Sequence, residues 1–381
     1  MSTLPRVLVA HNRYRVAGGE ERAVEAQLAA LGRAGVAHRA LIRDSAGAGR
    51  VRAARALLSG GEHPELVAQA VHELGATVLH AHNMHPLIGP RALLAARAAG
   101  ARVVLQLHNF RLFCAIGVAF RDGAPCFRCR GRQTLPGLVL NCRGSLPEAA
   151  TYAAALAAHQ PTVLDCVDRF VTPSRYAAGQ LVRLGVPAER LSVLTHYLPA
   201  DALSERSSAD RGEFALVSAR LSPEKGVAVA IEAAALSGVP LKVTGAGPLE
   251  PELRELVERL RAPVELLGRV EPRELSALRA RAAVAVVPSE SGETFGLTAL
   301  EAMGAGLPVL ATDAGALPEV VGRERVVARG DAEALAAALG ALWRDPRRRR
   351  GEGEWGIAHA RERYGEERYA SDLLALYRAL G

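Results

Sequence analysis

The chain has 381 residues, 49% of them apolar but only 4% aromatic, and a formal charge of +7. This length allows two domains with cores of their own, and a composition rich in Ala, Val and Leu argues for an α/β protein rather than an all-β one. The modest positive balance suits anionic ligands such as nucleotides, or an anionic membrane surface, and is too small to indicate nucleic acid.

The first strand is expected at once, in "RVLVAHNRY" (residues 6–14). No basic segment followed by a long apolar stretch precedes it, so the expectation is a cytoplasmic protein without a signal peptide. No stretch approaches the roughly eighteen uninterrupted apolar residues of a membrane span. Strand-like runs follow in "HRALIR", "TVLHAH", "RVVLQLH", "RFVTPS" and "LSVLTH". The same rhythm returns in "FALVSAR", "PLKVTGAG", "VELLG", "VAVVPS" and "PVLATDAG". Amphipathic stretches lie between them, such as Glu20 to Leu31 with Val24, Leu28 and Leu31 on one face. Strands alternating with helices imply parallel sheets covered on both sides.

This rhythm divides the chain into a first domain over 1–198, a polar, Ser-rich linker over 199–213 and a second domain over 214–360, with a C-terminal helical tail over 361–381. The tail region reads as two helices with a turn near Gly365, and its arginine run as a solvated helix face. Residues 109–147 break the rhythm and form an excursion from the first domain. Cys114, Cys126, Cys129 and Cys142 lie in it with the spacing C-x₁₁-C-x₂-C-x₁₂-C. One C-x₂-C knuckle with two outlying cysteines is compatible with a structural zinc, free thiols being the alternative. Cys166 reads as a small core residue.

In open parallel sheets, ligands bind beyond the carboxyl ends of the strands. After the first strand come His11, Asn12 and the pair Gly18-Gly19, whose backbone amides can approach a phosphate because no side chain blocks them. His80, His82 and His85 invite a metal reading, but no nearby carboxylate or Cys completes a ligand set. His82 and Asn83 are therefore read as cleft polarity and His80 as packing. In the second half, "RLSPEKG" places Arg220 and Lys225, one of only two lysines in the chain, at a strand-to-helix junction where two cations can clamp a diphosphate. "TGAGP" supplies Gly245 and Gly247 without the full G-x-G-x-x-G spacing, so a nicotinamide site is not supported. In "SESGETFGLTALEAMGAGLP" (residues 289–308) a helix is expected from Phe295 to Ala305. Glu293 would sit outside its first turn and Glu301 about 8–9 Å further along the axis. Two carboxylates so placed can each accept paired hydrogen bonds from vicinal hydroxyls, with the helix amides between them facing phosphate.

"RLSPEKG", "GAGP" and above all "ETFGLTALEAMGAGLPVLATDAGALPEVV" resemble the donor-binding half of glycosyltransferase family 4, retaining enzymes whose E-x₇-E motif matches Glu293 and Glu301. "HNRYRVAGGEE", "HAHNMHP" and the Cys-containing run are similar to a bacterial branch of that family involved in surface polysaccharide or natural-product glycosylation. The resemblance implies a GT-B fold, two Rossmann-like parallel-sheet domains facing each other across a cleft, with the C-terminal helix packing back on the first domain. It implies retaining, metal-independent transfer of a hexosyl or related group from a UDP- or GDP-type sugar to a glycan, a lipid-linked saccharide or a small molecule. No cofactor is implied, and the enzyme would work in the cytoplasm or on the inner face of the plasma membrane.

By the same resemblance Glu293 contacts the donor sugar and Glu301 the ribose, while Arg220 and Lys225 neutralise the diphosphate. Gly18, Gly19 and the amides near Thr294, Phe295, Gly296 and Leu297 lie close by. Gly245, Gly247 and Arg269 border the nucleotide, and His108 lies beside the transferred sugar. His11, Asn12, His82, Asn83 and Asn109 are acceptor-side candidates. The family commonly shows an Asn-Gly-type turn where this chain has His196-Tyr197. The alternatives are a sugar-nucleotide epimerase of the same architecture and a nucleic-acid-binding protein using the cysteines and arginines.

Overall fold

The computed structural model describes residues 4–14 and 18–380. Arg15, Val16 and Ala17 of the "HNRYRVAGGEE" motif lie outside them. The apolar runs form the strands β1 (Val7–Arg13), β2 (His38–Asp44), β3 (Val78–Ala81), β4 (Arg102–Gln106), the short β5 (Phe120–Arg121) and β6 (Ala124–Pro125), β7 (Arg169–Thr172) and β8 (Leu191–Val193). They continue with β9 (Phe214–Ser218), β10 (Leu241–Thr244), β11 (Val264–Gly268), β12 (Ala282–Val287), β13 (Val309–Thr312) and β14 (Val326–Val327).

Two six-stranded sheets result, in the orders β2-β1-β3-β4-β7-β8 and β11-β10-β9-β12-β13-β14. Every ladder in both is parallel. The inner strands are covered on both faces, which is why β1 and β12 read as near-continuous apolar runs. β2, at an edge, carries His38, Arg39 and Arg43 and is only partly covered.

Two compact units follow the contacts. One comprises residues 1–119, 126–196 and 367–381, and the other Phe120–Pro125 and Tyr197–Glu366. In the first, Leu8, Leu79, Leu93, Leu105, Phe110 and Phe170 share one core. The helix Glu366–Arg378 contributes Tyr377, whose hydroxyl meets Nδ1 of His80 at 2.7 Å and accepts from Gln27 at 3.1 Å. In the second unit the period-two alternation of β9 is visible. Ala215 and Val217 pack with Ile231 and Leu335 on one face, while Phe214 and Leu216 pack with Leu300 and Ala360 on the other.

Three segments differ from the sequence reading. Residues 199–213 are folded rather than linking. Ala209 is fully buried, Ser207 Oγ donates to Gly306 O at 2.6 Å, and Arg349 donates to the carbonyls of Ala209 and Asp210 at 2.8 and 3.0 Å. Main-chain hydrogen bonds rather than an apolar stripe hold this segment, so periodicity did not reveal it. For the same reason Arg349, from the arginine run read as a solvated face, is buried. The excursion over 109–147 contains the β5–β6 hairpin, the helix Leu135–Val139 and the start of the helix Leu146–Cys166.

Gly245 and Gly247 are required by backbone approach. A Cβ at Gly245, whose φ is +127°, would stand 1.8 Å from Ala219 O, and one at Gly247 would stand 2.2 Å from Leu221 O. This closeness lets Ala219 and Leu221 donate to Thr244 O and Ala246 O at 3.0 and 3.1 Å, fixing the turn that carries Arg220. Gly245→Ala is expected to cost on the order of 1–3 kcal/mol. Thermal denaturation should show the midpoint lowered by several degrees; an unchanged midpoint would refute the packing argument.

Candidate active site

The second sheet runs in the 3-2-1-4-5-6 order of doubly wound folds, and its strand order reverses between β9 and β12. A ligand crevice opens at the carboxyl ends on either side of such a reversal. The chain leaves β9 into the turn bearing Arg220 and Lys225, and leaves β12 into Ser289 to Glu293. The two turns are tied by main-chain bonds from Glu290 N and Ser291 N to Glu224 O, at 3.0 and 3.2 Å.

Across this junction Lys225 Nζ lies 2.5 Å from Glu293 Oε1, which also accepts from Ser289 Oγ at 2.7 Å. Burial pushes the Glu293 carboxyl up, but the charge and hydrogen bonds of Lys225 and Ser289 outweigh it and hold it below its ordinary range. The backbone of Glu293 is clamped too: its carbonyl accepts from Ala316 N at 2.9 Å. Gly315, at φ +64°, passes so close that a Cβ there would meet Glu293 O at 2.3 Å.

Arg220 pairs with Glu224, and Ser222 Oγ bridges the two, accepting from Arg220 Nε at 3.1 Å and donating to Glu224 at 2.7 Å. The Arg220 side chain is 58% exposed whereas that of Glu224 is 8% exposed. A buried carboxylate therefore orients a cation whose far side remains available.

The helix after Glu293 spans Leu297–Gly304, shorter at both ends than expected from sequence. Gly296 caps it at φ +105°, a conformation that ends the helix N-terminally of Leu297, and Phe295 is buried edge-on against Tyr364. The axial rise from Leu297 to Glu301 is therefore about 6 Å, and Glu293 stands off the helix on the preceding turn. Glu301 Oε2 accepts from Arg279 at 2.5 Å. Thr294 and Leu297 are half-buried and Arg269 is exposed just beyond β11, where Gly268 O accepts from Gly245 N at 2.7 Å. Arg279, Glu224 and Gly315 escaped sequence reasoning, although Gly315 stands inside the quoted "TDAGALPE" run.

The first sheet reverses between β1 and β3. His11 at the end of β1 and His82 just after β3 flank this point, with ring centroids 6.2 Å apart. His82 shares a 2.8 Å hydrogen bond with His108, and the rings of His80, His82, His108 and His196 stack in succession at 4.8, 5.1 and 5.5 Å. Burial, followed by repulsion from neighbouring histidines, holds His82 and His108 far below the ordinary histidine range; His196 is lowered to about 4 by burial. These are neutral imidazoles. His82 Nε2 and both ring nitrogens of His11 have no hydrogen-bond partner among the described residues, although His11 Nε2 is 3.8 Å from Glu21.

Other expected acceptor-side residues serve the scaffold. Asn12 and Asn83 are buried, and their amides hold the strand-end loops. Asn12 donates to Ser45 Oγ at 2.6 Å and accepts from Leu87 N at 3.1 Å; Asn83 donates to Asn12 O at 2.7 Å. Gly18 does not offer its amide to a phosphate, because that N–H donates to Glu21 Oε2 at 2.7 Å while Tyr14 N donates to Oε1 at 3.0 Å. Gly19 opens the helix Gly19–Arg33. Burial acts to raise the Glu21 carboxyl, but the neighbouring His11 ring and the hydrogen bonds from these amides bring it down to about 2.

Asn109 does face a polar cluster. Its Nδ2 and the Tyr14 hydroxyl both donate to Glu20 Oε2, at 3.2 and 2.9 Å, and Arg111 lies 5.1 Å from the Tyr14 ring centre. Tyr14 and Glu20 were overlooked in the sequence, where only the "GGEE" run hinted at them.

Comparison with known proteins supplies the family. The description "Glycosyl transferase 4-like domain" matches residues 18–195, and "Glycosyl transferases group 1" matches residues 201–356. The chain belongs to this glycosyltransferase family. It is 32% identical over 216 residues to the MMP alpha-(1->4)-mannosyltransferase of Mycolicibacterium hassiacum, covering 54% of this chain and 52% of that one. It is 37% identical over 178 residues to the D-inositol 3-phosphate glycosyltransferase of Corynebacterium urealyticum, covering 42% of each. The matches thus span about half the length of these curated relatives. Among solved structures, sucrose-phosphate synthase from Thermosynechococcus elongatus superposes with a TM-score of 0.73 at 19% identity, covering 98% of this chain and 99% of that one. Anabaena HepE in complex with UDP gives 0.68 at 17%, covering 98% and 100%. These likenesses establish the two-domain GT-B fold.

Of the four excursion cysteines, Cys129 lies within electrostatic reach of the other three. Burial, followed more weakly by Cys114, Cys142 and Cys126, pushes the Cys129 thiol up to about 11, against a hydrogen bond from the Gly137 amide that lowers it. Among the described residues, no three His, Cys, Asp or Glu side chains stand in a metal-ligating group. Cys166 is buried in the core.

The buried Glu20 carboxyl is expected to make the stability of the fold depend on pH. Burial raises its carboxyl from 4.5 to about 7, against the lowering bond from Tyr14. Between those values the folded chain holds a proton that the unfolded chain has released, so this group's contribution to stability falls as pH rises through the window. Glu20→Gln removes that dependence. Its melting midpoint relative to the parent should climb between about pH 5 and about pH 8; a constant difference would overturn the assignment.

Proposed function

We propose that the protein moves a sugar from a nucleotide-diphosphate sugar to an acceptor hydroxyl with retention of anomeric configuration. The observation that carries this reading is the Lys225–Glu293 pair at the strand reversal of the second sheet, with Arg220 on the same turn. Breaking the sugar–phosphate bond leaves additional negative charge on the diphosphate. Two preorganised cations lower the energy of that charge as it develops, and being fixed before the reaction they need no reorganisation during it.

In this reading Glu293 accepts hydrogen bonds from donor-sugar hydroxyls and stabilises an oxocarbenium-like centre, and Lys225, held in place by that carboxylate, turns its remaining N–H donors to the phosphate. Glu301, oriented by Arg279, accepts the ribose hydroxyls, while the backbone near Gly245, Gly247 and Arg269 borders the base. The leaving phosphate receives the acceptor proton, so no separate base is required. Arg220 and Lys225 supply the charge neutralisation that a divalent cation provides elsewhere, and the reaction is accordingly proposed to be metal-independent. The first unit receives the acceptor near the ends of β1, β3 and β4. His108 there supplies a neutral imidazole able to hydrogen-bond without adding charge, which fits the role beside the transferred sugar that the resemblance gives it. HepE is described in complex with UDP and with UDP-glucose, which supports a UDP-type donor; a GDP-type donor is the alternative. A cytoplasmic setting belongs to the same proposal.

Glu293→Gln and Lys225→Ala should each lower the transfer rate by roughly 10²–10³ while leaving the melting midpoint nearly intact. Near-normal rates in both would refute the site. A thermal-shift panel of nucleotides and nucleotide sugars identifies the donor, since a ligand at a hundred times its Kd stabilises by about 2.7 kcal/mol. NMR of the product anomer, run with and without EDTA, tests the rest: an inverted anomer would sink retention, and activity lost to EDTA and restored by a divalent ion would sink metal independence.

A further inference from the structure

Residues 123–147 contain no Asp or Glu but four arginines, Arg128, Arg130, Arg132 and Arg143. Arg128, Arg130 and Arg132 are exposed. Within the same stretch Leu135, Val139 and Leu146 are 63%, 72% and 60% exposed. Leu135 and Val139 are one helical turn apart and therefore share a face of the helix Leu135–Val139.

This exposure is built into the fold. Thr134 Oγ1 donates to Ala153 O at 2.7 Å and Arg132 Nε donates to Ala157 O at 3.2 Å, fastening the segment to the helix Leu146–Cys166. Cys142 N donates to Gly137 O at 3.0 Å and closes the loop beyond the short helix. The half-buried Leu138 and Leu140 face inward while their neighbours Leu135 and Val139 do not. Arg143 pairs with Glu148 at 3.2 Å, whereas the exposed Arg128, Arg130 and Arg132 lie in a run without acidic residues, and an apolar ridge rimmed by them satisfies no need of the core.

From this we infer that residues 128–146 form a docking surface for an anionic lipid bilayer, the arginines meeting lipid phosphates and Leu135, Val139 and Leu146 entering the interface. Charge complementarity selects this occupant. A second copy of the chain would bring the same acid-free arginines against each other, and a zwitterionic surface would leave them without counter-charge. Among the described residues no helix is long and apolar enough to cross a membrane, so attachment through this ridge would be peripheral. The inference goes beyond sugar transfer and does not depend on it.

The test is co-sedimentation of the full chain with vesicles of phosphatidylcholine alone or mixed with phosphatidylglycerol. Binding is expected only to the mixed vesicles and should weaken steeply with salt. The triple change Arg128→Glu, Arg130→Glu and Arg132→Glu should lower the partition constant by more than about a hundredfold, at about fivefold or more per charge. Val139→Asp should lower it in low and high salt alike. Val139→Asp should keep the parent melting midpoint, and both variants should keep the nucleotide-induced thermal shift, which shows that the chain is folded. Equal binding to both vesicle types, no binding to either, or variants that bind like the parent would overturn the inference. So would a concentration-dependent dimer abolished by Val139→Asp without vesicle binding, which would assign the ridge to self-association. A chain that binds vesicles but no nucleotide sugar would instead refute the proposed transfer and leave the docking surface standing.

Discussion

Lys225 and Glu293 lie 68 residues apart in the chain and 2.5 Å apart in space. That contact depends on almost everything else in the second unit. It requires β9 and β12 to be neighbours at the strand reversal, Gly226 and Gly315 to let backbones pass closely, and Glu224 to accept the amides of Glu290 and Ser291. An isolated ion pair of this kind at a surface contributes little to stability. Here the scaffold holds the charges at the carboxyl ends of strands whose inner members are buried on both faces, the edge of such a sheet where polar chemistry can be kept.

The two sheets solve the same problem with different chemistry. At the reversal of the second, buried or half-buried carboxylates are matched with cations: Glu293 with Lys225, Glu224 with Arg220 and Glu301 with Arg279. At the reversal of the first, a stack of imidazoles is kept neutral by burial, and Glu20 is shifted toward neutrality by the same cause. Charged groups suit a diphosphate, whereas polar groups of low charge suit a hydroxyl-bearing ligand.

Much of this was legible in the sequence, and the reason differs from residue to residue. The strands of both sheets were visible because burial on both faces demands unbroken apolar runs. Lys225, Glu293 and Glu301 stood out because a rare lysine and a paired carboxylate motif break an otherwise apolar pattern. Asn12 and Asn83 tie two loops together in the fold, and a strand-end asparagine that does so has the same one-letter signature as one that faces a ligand. For Gly18 the sequence was equally silent: what its amide meets depends on where the Glu21 carboxylate folds. The segment over 199–213 was taken for a linker because hydrogen bonds from Arg349 and Ser207 leave no apolar period to detect.

The sequence by itself determined the α/β class, the two parallel sheets and the motif that carries the donor chemistry, since these depend on local periodicity and on residues close together in the chain. Only the tertiary structure decided which groups answer one another. Arg279 meets Glu301 from 22 residues away and Asn109 meets Glu20 from 89, and the arginine-rimmed ridge is defined by what the neighbouring helix leaves uncovered. Electrostatics falls off with distance in space rather than along the chain, so the partner that sets each side chain's role becomes visible only once the strands are in order.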